Sequence, residues 1–261
     1  MKIKILGSGT MVMSKKRNPS AYLIKIKNEQ ILLDCGHGLM RRLLESGIDW
    51  LKINYIGISH THTDHLAGLM PIIHAQFVKY VFDKSRKRRV PLKIFAPQGF
   101  RKQFIVLRKI MWPEVEEWPH VPVEIKECQK SKFKIKDFIL ETNTIKHAKY
   151  FKKALSFKIR EGRKTFVYSG DTGPEIDKGS FIKFARRANL LVIDGSRPPA
   201  WEKGGHLRPF EAGEIAEKAR VKHLVLTHLT DLNTFYELIS DCRRTYSGKI
   251  TVAQDLMEFK L

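Results

Sequence analysis

Residues 60–65 read His60-Thr61-His62-Thr63-Asp64-His65. Three imidazoles and a carboxylate fall within six positions of a chain that has only 10 histidines in 261 residues. Divalent metals of intermediate softness, zinc above all, take neutral imidazole nitrogen and carboxylate oxygen as ligands. The run follows Ile53-Asn54-Tyr55-Ile56-Gly57-Ile58, an apolar stretch that reads as a buried strand entering a loop. In an extended turn side chains alternate, so His60 and His62 point one way and reach one metal. Asp64 and His65 then address a neighbouring position, and the spacing suits two adjacent metals better than one. The plainer alternative is a polar loop rich in histidine by chance, and the crowding argues against it.

Working outward, three more metal-capable side chains follow strand-like runs. His147 follows Leu140-Glu141-Thr142-Asn143-Thr144-Ile145-Lys146, Asp171 follows Thr165-Phe166-Val167-Tyr168-Ser169-Gly170, and His228 follows His223-Leu224-Val225-Leu226-Thr227. A lone histidine is usually an ordinary polar or core residue. The repeated placement, together with the cluster, points to one rim where strand ends meet.

Strand-like runs occur at 2–6, 20–27, 30–34, 53–58, 91–96, 121–127, 137–143, 154–160, 164–169, 189–194, 222–227 and 249–253. Helix-like runs lie near 38–47, 66–81, 99–110, 175–187, 209–220 and 232–245. The last carries Leu232, Phe235, Leu238, Ile239 and Cys242 at helical spacing, which predicts one buried stripe. Pro209 suits a first helical turn, with Glu211 and Glu214 near the positive end of the dipole. Strands then helices in each half predict two facing sheets with helices outside, an α+β arrangement. No Pro/Gly/Ser linker divides the chain, so residues 1–261 are expected to form one domain.

Composition bounds the class. Hydrophobic residues make up 43%, enough for a sizeable core, and no apolar run approaches the ~20 residues of a membrane span. Residues 1–7 alternate like a strand and lack a signal-peptide core. Cys35, Cys128 and Cys242 are odd in number and far apart, so neither a disulfide framework nor a thiolate cluster is expected, and a cytoplasmic location is. The net charge of +21 favours polyanionic partners such as RNA, against the alternative of a solvated, heat-adapted surface. Basic residues are densest at 84–89 and 146–153.

These residues carry a resemblance. Leu6-Gly7-Ser8-Gly9-Thr10, Leu33-Asp34-Cys35-Gly36, His60-x-His62-x-Asp64-His65, His147, Ser169-Gly170-Asp171-Thr172 and Leu226-Thr227-His228 together resemble a metallo-β-lactamase-fold hydrolase over nearly the whole chain. The resemblance implies an αββα sandwich with the site at one edge. It implies His60, His62 and His147 on a first metal, Asp64, His65 and His228 on a second, and Asp171 bridging them. Zinc is the first expectation for both ions, with manganese or iron as alternatives. Gly205-His206-Leu207-Arg208-Pro209-Phe210-Glu211-Ala212-Gly213-Glu214-Ile215-Ala216 narrows the resemblance to the ribonuclease Z-like phosphodiesterases. There the matching histidine is catalytic and not a ligand, so His206 is the expected proton donor. Asp194 orients it, and Asp64 counts with the catalytic groups. The alternative for His206 is a loop histidine beside Gly204-Gly205.

A dinuclear metal phosphodiesterase is thus expected, a water activated between the metals attacking a phosphodiester, RNA foremost. A small cyclic phosphate or cyclic nucleotide is the alternative, and a carboxyl ester, lactone or sulfate ester a more distant one. The expected partners are the phosphodiester and a second copy in a homodimer, with no membrane. The chain departs from ribonuclease Z in three ways. The stretch 148–170, where that enzyme carries its transfer-RNA arm, holds only two strands and a turn. The strand before His206 ends in Asp194-Gly195-Ser196 where a Glu-containing motif is usual. The loop after His228 is Leu229-Thr230-Asp231-Leu232, without the usual Arg-Tyr. Asp34 reads equally as an acceptor for a ligand histidine or as a turn former. His37, His74, His120 and His223 read as surface or packing histidines.

Overall fold

The computed structural model describes residues 1–82, 91–113, 123–147, 151–198, 204–232 and 234–261. The first half lays down β1 (Lys2–Gly7), β2 (Ala21–Ile26), β3 (Glu29–Leu33), β4 (Ile53–Gly57), β5 (Leu92–Pro97) and β6 (Val123–Cys128). Interleaved with them are α1 (Leu39–Glu45), α2 (Thr63–Leu66), α3 (Leu69–Phe82) and α4 (Phe100–Met111). The second half holds β7 (Lys132–Ile135), β8 (Phe138–His147), β9 (Phe151–Glu161), β10 (Lys164–Tyr168), β11 (Leu190–Asp194), β12 (His223–Thr227), β13 (Lys249–Val252) and β14 (Glu258–Lys260). Its helices are α5 (Lys178–Ala185), α6 (Pro209–Lys218) and α7 (Phe235–Arg243).

Two seven-stranded sheets result, ordered β14-β1-β2-β3-β4-β5-β6 and β13-β12-β11-β10-β9-β8-β7. Each is mixed: β1–β3 and β7–β10 are antiparallel neighbours, whereas β3 to β6 and β10 to β13 run parallel. Alternation decides what each face meets. Ile3, Ile5, Tyr22, Ile24 and Leu33 of the first sheet pack between the sheets with Leu140, Leu155, Phe157, Phe166 and Val192 of the second. The opposite face of the first sheet packs on Leu39, Leu43, Ile73, Phe77 and Phe104 of α1, α3 and α4. The opposite face of the second packs on Phe181, Ala212, Ile215, Leu238 and Cys242 of α5, α6 and α7. Three apolar layers between four structural layers make the expected αββα sandwich. β4, β11 and β12 are apolar almost throughout because both their faces are covered.

The elements differ from the sequence expectations in specific places. β8 runs on to His147, past Glu141, Thr142, Asn143, Thr144 and Lys146, which range from buried to exposed. β7 and β14, four and three residues long, are too short to show a period. α5 starts at Lys178 because the Asp177 carboxylate caps it by accepting from the Ser180 N–H. The run 66–81 divides into α2 and α3, and α7 begins at Phe235, capped by Thr234. Only Leu238 and Cys242 of its expected stripe are fully buried, with Ile239 partly so; Leu232 and Phe235 are 69% and 62% exposed. Among the described residues no helix is long and apolar enough to cross a membrane.

Candidate metal centre

The parallel strands of both sheets direct their C-terminal ends to one edge, where ligands collect in sheets of this kind. Asp34 follows β3, His60 follows β4, Asp171 follows β10, Asp194 ends β11, His228 follows β12, and His147 closes β8. Backbone hydrogen bonds tie the sheets together there. The Leu155 N–H of β9 donates to the Ser59 carbonyl at 2.8 Å, and the Leu229 N–H donates to the Ser8 carbonyl at 2.9 Å. His228 itself has φ 63°, a left-handed conformation uncommon for a non-glycine residue.

The cluster is not extended throughout. His62 is extended, but Thr63–Leu66 form the helical turn α2, and that turn swings Asp64 and His65 away from His62. Two groups that could each hold a cation form by this different route. One ligand atom from each of His60, His62, His147 and Asp171 lies within 4.8 Å of the others, and the same holds for Asp64, His65, Asp171 and His228. Asp171 is common to both groups. Its Oδ2 stands 3.7 Å from His60 Nε2, 3.6 Å from His147 Nε2 and 3.2 Å from His228 Nε2, while its Oδ1 stands 3.1 Å from His65 Nε2. Ligands ~2.0–2.1 Å from a tetrahedral zinc are separated by about 3.3 Å, so these spacings fit a cation between the donors. Buried His65 Nε2 has no hydrogen-bond partner of good geometry, as a nitrogen aimed at a cation should be.

A layer of acceptors orients the imidazoles. Asp34, fully buried, takes His65 Nδ1 at 2.7 Å, the Ser59 N–H at 2.7 Å, the Ser59 hydroxyl at 2.8 Å and the Tyr168 hydroxyl at 2.7 Å. That arrangement turns His65 Nε2 towards the shared carboxylate. With φ 58°, Asp34 also makes the turn that ends β3, so both sequence readings of it hold. His60 Nδ1 lies 3.0 Å from the Ser59 hydroxyl, and His228 Nδ1 lies 3.3 Å from the Ser20 hydroxyl. Sequence reasoning missed Ser20, Ser59 and Tyr168; the only signal was their position beside ligand motifs at strand ends.

Electrostatics prepares the donors. Burial lowers the pKa values of His60, His62, His147 and His228, keeping these imidazoles neutral. Burial works against ionised Asp171, yet His228 and His65 outweigh it and hold the carboxyl well below its usual range. His65 goes the other way. Burial lowers it, but Asp171 and Asp34 raise it well above an ordinary histidine, so in this site a cation competes with a proton.

His206 sits outside both groups, with ring centroids 5.2 Å from His147 and 5.0 Å from His228. Its Nδ1 donates to Asp194 Oδ2 at 2.7 Å, and its side chain is 32% exposed above a carboxylate that is fully buried. Asp194 is held by the Thr172 N–H at 3.1 Å, the Ser196 N–H at 3.0 Å and the Ser196 hydroxyl at 2.8 Å. Burial lowers the His206 pKa, but Asp194 outweighs it and raises the imidazole to about 9. The segment after His206 is fixed by Glu211, which accepts from the Arg208 N–H at 2.9 Å and from Arg197 at 2.6 Å.

The other histidines lie elsewhere. His37 is exposed, His74 stacks on Trp112 at 4.5 Å, and His223 Nε2 meets the Thr251 hydroxyl at 2.8 Å. His120 and the basic stretch 84–89 lie outside the described residues, as do 148–150 of the second basic stretch; Lys146 and Lys153 are exposed. Lys164 pairs with Glu161, so β9 and β10 turn across Gly162 and Arg163, without an arm between them.

Known proteins share this architecture. Ribonuclease Z of Methanosarcina mazei is 25% identical over 316 residues, covering 100% of this chain and 98% of that protein. The metallo-β-lactamase fold protein YhfI from Bacillus subtilis superimposes with a TM-score of 0.82 at 23% identity, covering 99% of this chain and 98% of that one. The human tRNase Z short form gives a TM-score of 0.77 at 22% identity, covering 100% and 99%. The model of the family described as anti-Pycsar protein Apyc1 matches residues 1–194.

Proposed function

The chain belongs to the family of the anti-Pycsar protein Apyc1 and is a metal-dependent hydrolase of the metallo-β-lactamase fold, and from that footing we propose that it is a dinuclear metal phosphodiesterase. The observation that carries this reading is His206, outside both donor groups, between His147 of one and His228 of the other, and backed by buried Asp194. In this reading His60, His62 and His147 hold one ion, Asp64, His65 and His228 the other, and Asp171 both. Zinc is the favoured metal for such a His/Asp set, with manganese or iron as alternatives. Two bound ions would lower the pKa of a water and offset charge on phosphoryl oxygens.

The chain's own residues do the rest. Asp34 and Ser59 fix the His65 and His60 rings. Asp194 fixes the His206 tautomer, leaving Nε2–H directed away from the carboxylate. From there His206 donates its proton to the leaving oxygen as the phosphoester bond breaks. A leaving alkoxide needs such a donor, and a phosphodiester supplies both that oxygen and the anionic oxygens that two cations attract.

The substrate read from the fold is compact, a cyclic nucleotide or similar small phosphodiester. The β9–β10 connection is a two-residue turn, and between these two strands there is no arm to grip a folded RNA. RNA is the second reading, supported by the net charge of +21 and by relatives named ribonuclease Z. A cytoplasmic location and a homodimer accord with either. The test is turnover on cyclic nucleotides, precursor transfer RNA and bis(p-nitrophenyl) phosphate, with and without chelator. Chelator-sensitive cleavage of a cyclic nucleotide with precursor RNA untouched supports the first reading; the reverse supports the second. Hydrolysis of esters or lactones alone would overturn both.

A further inference from the structure

A cavity of about 530 Å³ lies far from the metal centre, on the helix-facing side of the first sheet. Five lysines line it: Lys2, Lys4, Lys25, Lys27 and Lys52. Its floor is the N-terminal part of β1, the C-terminal part of β2 and the start of β3, and its wall is the loop after α1. Lys2, Lys4 and Lys25 alternate with Ile3, Ile5 and Ile24, which point into the inter-sheet core, so the ammonium groups project to the outer face. Gln30 in the lining precedes Asp34 by four strand residues, about 13 Å along β3, so this site and the metal centre occupy opposite ends of the strands.

The sheet chemistry here is unusual. Lys2 stands directly opposite Lys25 on one side and Lys260 on the other, a row of three cations across β14, β1 and β2. Like charges directly opposed destabilise a sheet. Counter-charge from the protein is thin. Lys2 reaches Glu258 at 3.7 Å and Lys52 reaches Asp49 at 3.6 Å, both long and exposed, while Lys27 is paired with Asp137 at 2.7 Å. Among the described residues no ion pair engages Lys4 or Lys25. Among the described residues the lining holds two acidic residues, Asp49 and Glu258, against five lysines.

We propose that this cleft binds an oligophosphate anion, a nucleoside triphosphate or an inorganic phosphate chain. Lysines gathered along one cleft, with an excess of positive charge over the acidic residues that line it, match an anion of several adjacent charges. The volume falls in the range of small-ligand sites, ~300–1,000 Å³. Leu23 and Ile48 add apolar surface for a base, and Asn54 and Gln30 add amides for its edge, which favours the nucleoside triphosphate. Single-stranded RNA is less suited, since such strands are held by stacking on aromatic side chains and no described residue of the lining is aromatic.

The test is calorimetric titration of the metal-reconstituted protein with ATP and with inorganic triphosphate, comparing wild type with K25Q and K4Q/K25Q. The expected result is one ATP per chain, bound at least tenfold more weakly by K4Q/K25Q, with hydrolysis of bis(p-nitrophenyl) phosphate unchanged. K25Q, which relieves the cationic row by a single change, should lose part of that affinity and melt no lower than wild type without ligand. ATP tighter than inorganic triphosphate supports a contribution from the base; equal affinity supports an inorganic chain as the ligand. Equal ATP affinity in wild type and K4Q/K25Q, or no binding by wild type at millimolar ATP, overturns the proposal. So does a twelve-nucleotide single-stranded RNA that needs Lys4 and Lys25 while ATP does not bind.

Discussion

His206 and Asp194 form the pair on which the proposed chemistry turns. Replacing His206 with Ala should leave metal content intact, because the ring lies outside both donor groups, and should lower phosphodiesterase turnover roughly 10²- to 10⁴-fold. Loss of metal in that variant would make His206 a ligand; unchanged turnover would make it structural. A proton donor must be protonated to act. With the imidazole raised to about 9, activity should hold through neutrality and fall on the alkaline side, at or below pH 9 once cations sit beside it. D194N removes the anion that raises His206, so the alkaline limb of the kcat/KM profile should move to lower pH; a limb that stays in place would sever the two residues. His223 gives an opposite and metal-independent case. Burial and Lys249 depress it to about 4, so the folded state favours the neutral ring. Its stabilising contribution is complete above the ordinary value of about 6.5 and is lost as pH falls through about 4. Urea unfolding of wild type and H223Q should therefore diverge in pH dependence across that window, and parallel curves would contradict the assignment.

At the scale of elements, helix ends and strand ends carry the function, and they differ in how far sequence betrays them. Asp171, His228 and the 60–65 cluster were legible as candidates because they follow apolar strands, and β4, β10 and β12 end within a residue of the expected bounds; His147 instead closes β8 after a mostly polar run. The α2 turn was not, because four residues are too few to show a helical period; its local bonds are backed by tertiary contacts such as the Cys35 N–H donating to the His65 carbonyl at 2.7 Å. The apolar stripe of α7 was half right. Leu238 and Cys242 face the core, but Phe235, at the first position of the helix, is 62% exposed. The Thr234 hydroxyl caps that helix by accepting from the Glu237 N–H at 3.2 Å. T234A should cost about 1 kcal/mol in chemical denaturation, the usual worth of such a cap. Gly170 has no such tolerance. At φ 65° its added Cβ would meet the Leu155 carbonyl oxygen at 2.8 Å, directly before Asp171, so G170A should reduce both stability and metal occupancy. Full occupancy in G170A would show that the loop can shift without disturbing Asp171.

At the scale of the molecule, the sandwich brings together residues that are more than a hundred positions apart. Asp34 meets Tyr168, and Ser20 meets His228, contacts that no local pattern announces because they depend on how two separate sheets register. The seven candidate donor residues were readable by type and order, and Asp34 was open in the sequence to two readings; its contact with His65 and the remote lysine cleft became visible only when strands were neighbours. Net charge was legible as a number, and its local meaning was not, since a row of three lysines across three strands exists only in the paired sheet. The central claim is that two cations act together at the shared Asp171. Its most direct test is to strip the protein with chelator, add zinc stepwise, and follow bound metal and bis(p-nitrophenyl) phosphate hydrolysis in the same samples. Activity should climb to a plateau at two equivalents per chain. A plateau at one equivalent, or fully loaded protein that does not cleave the phosphodiester, would contradict it.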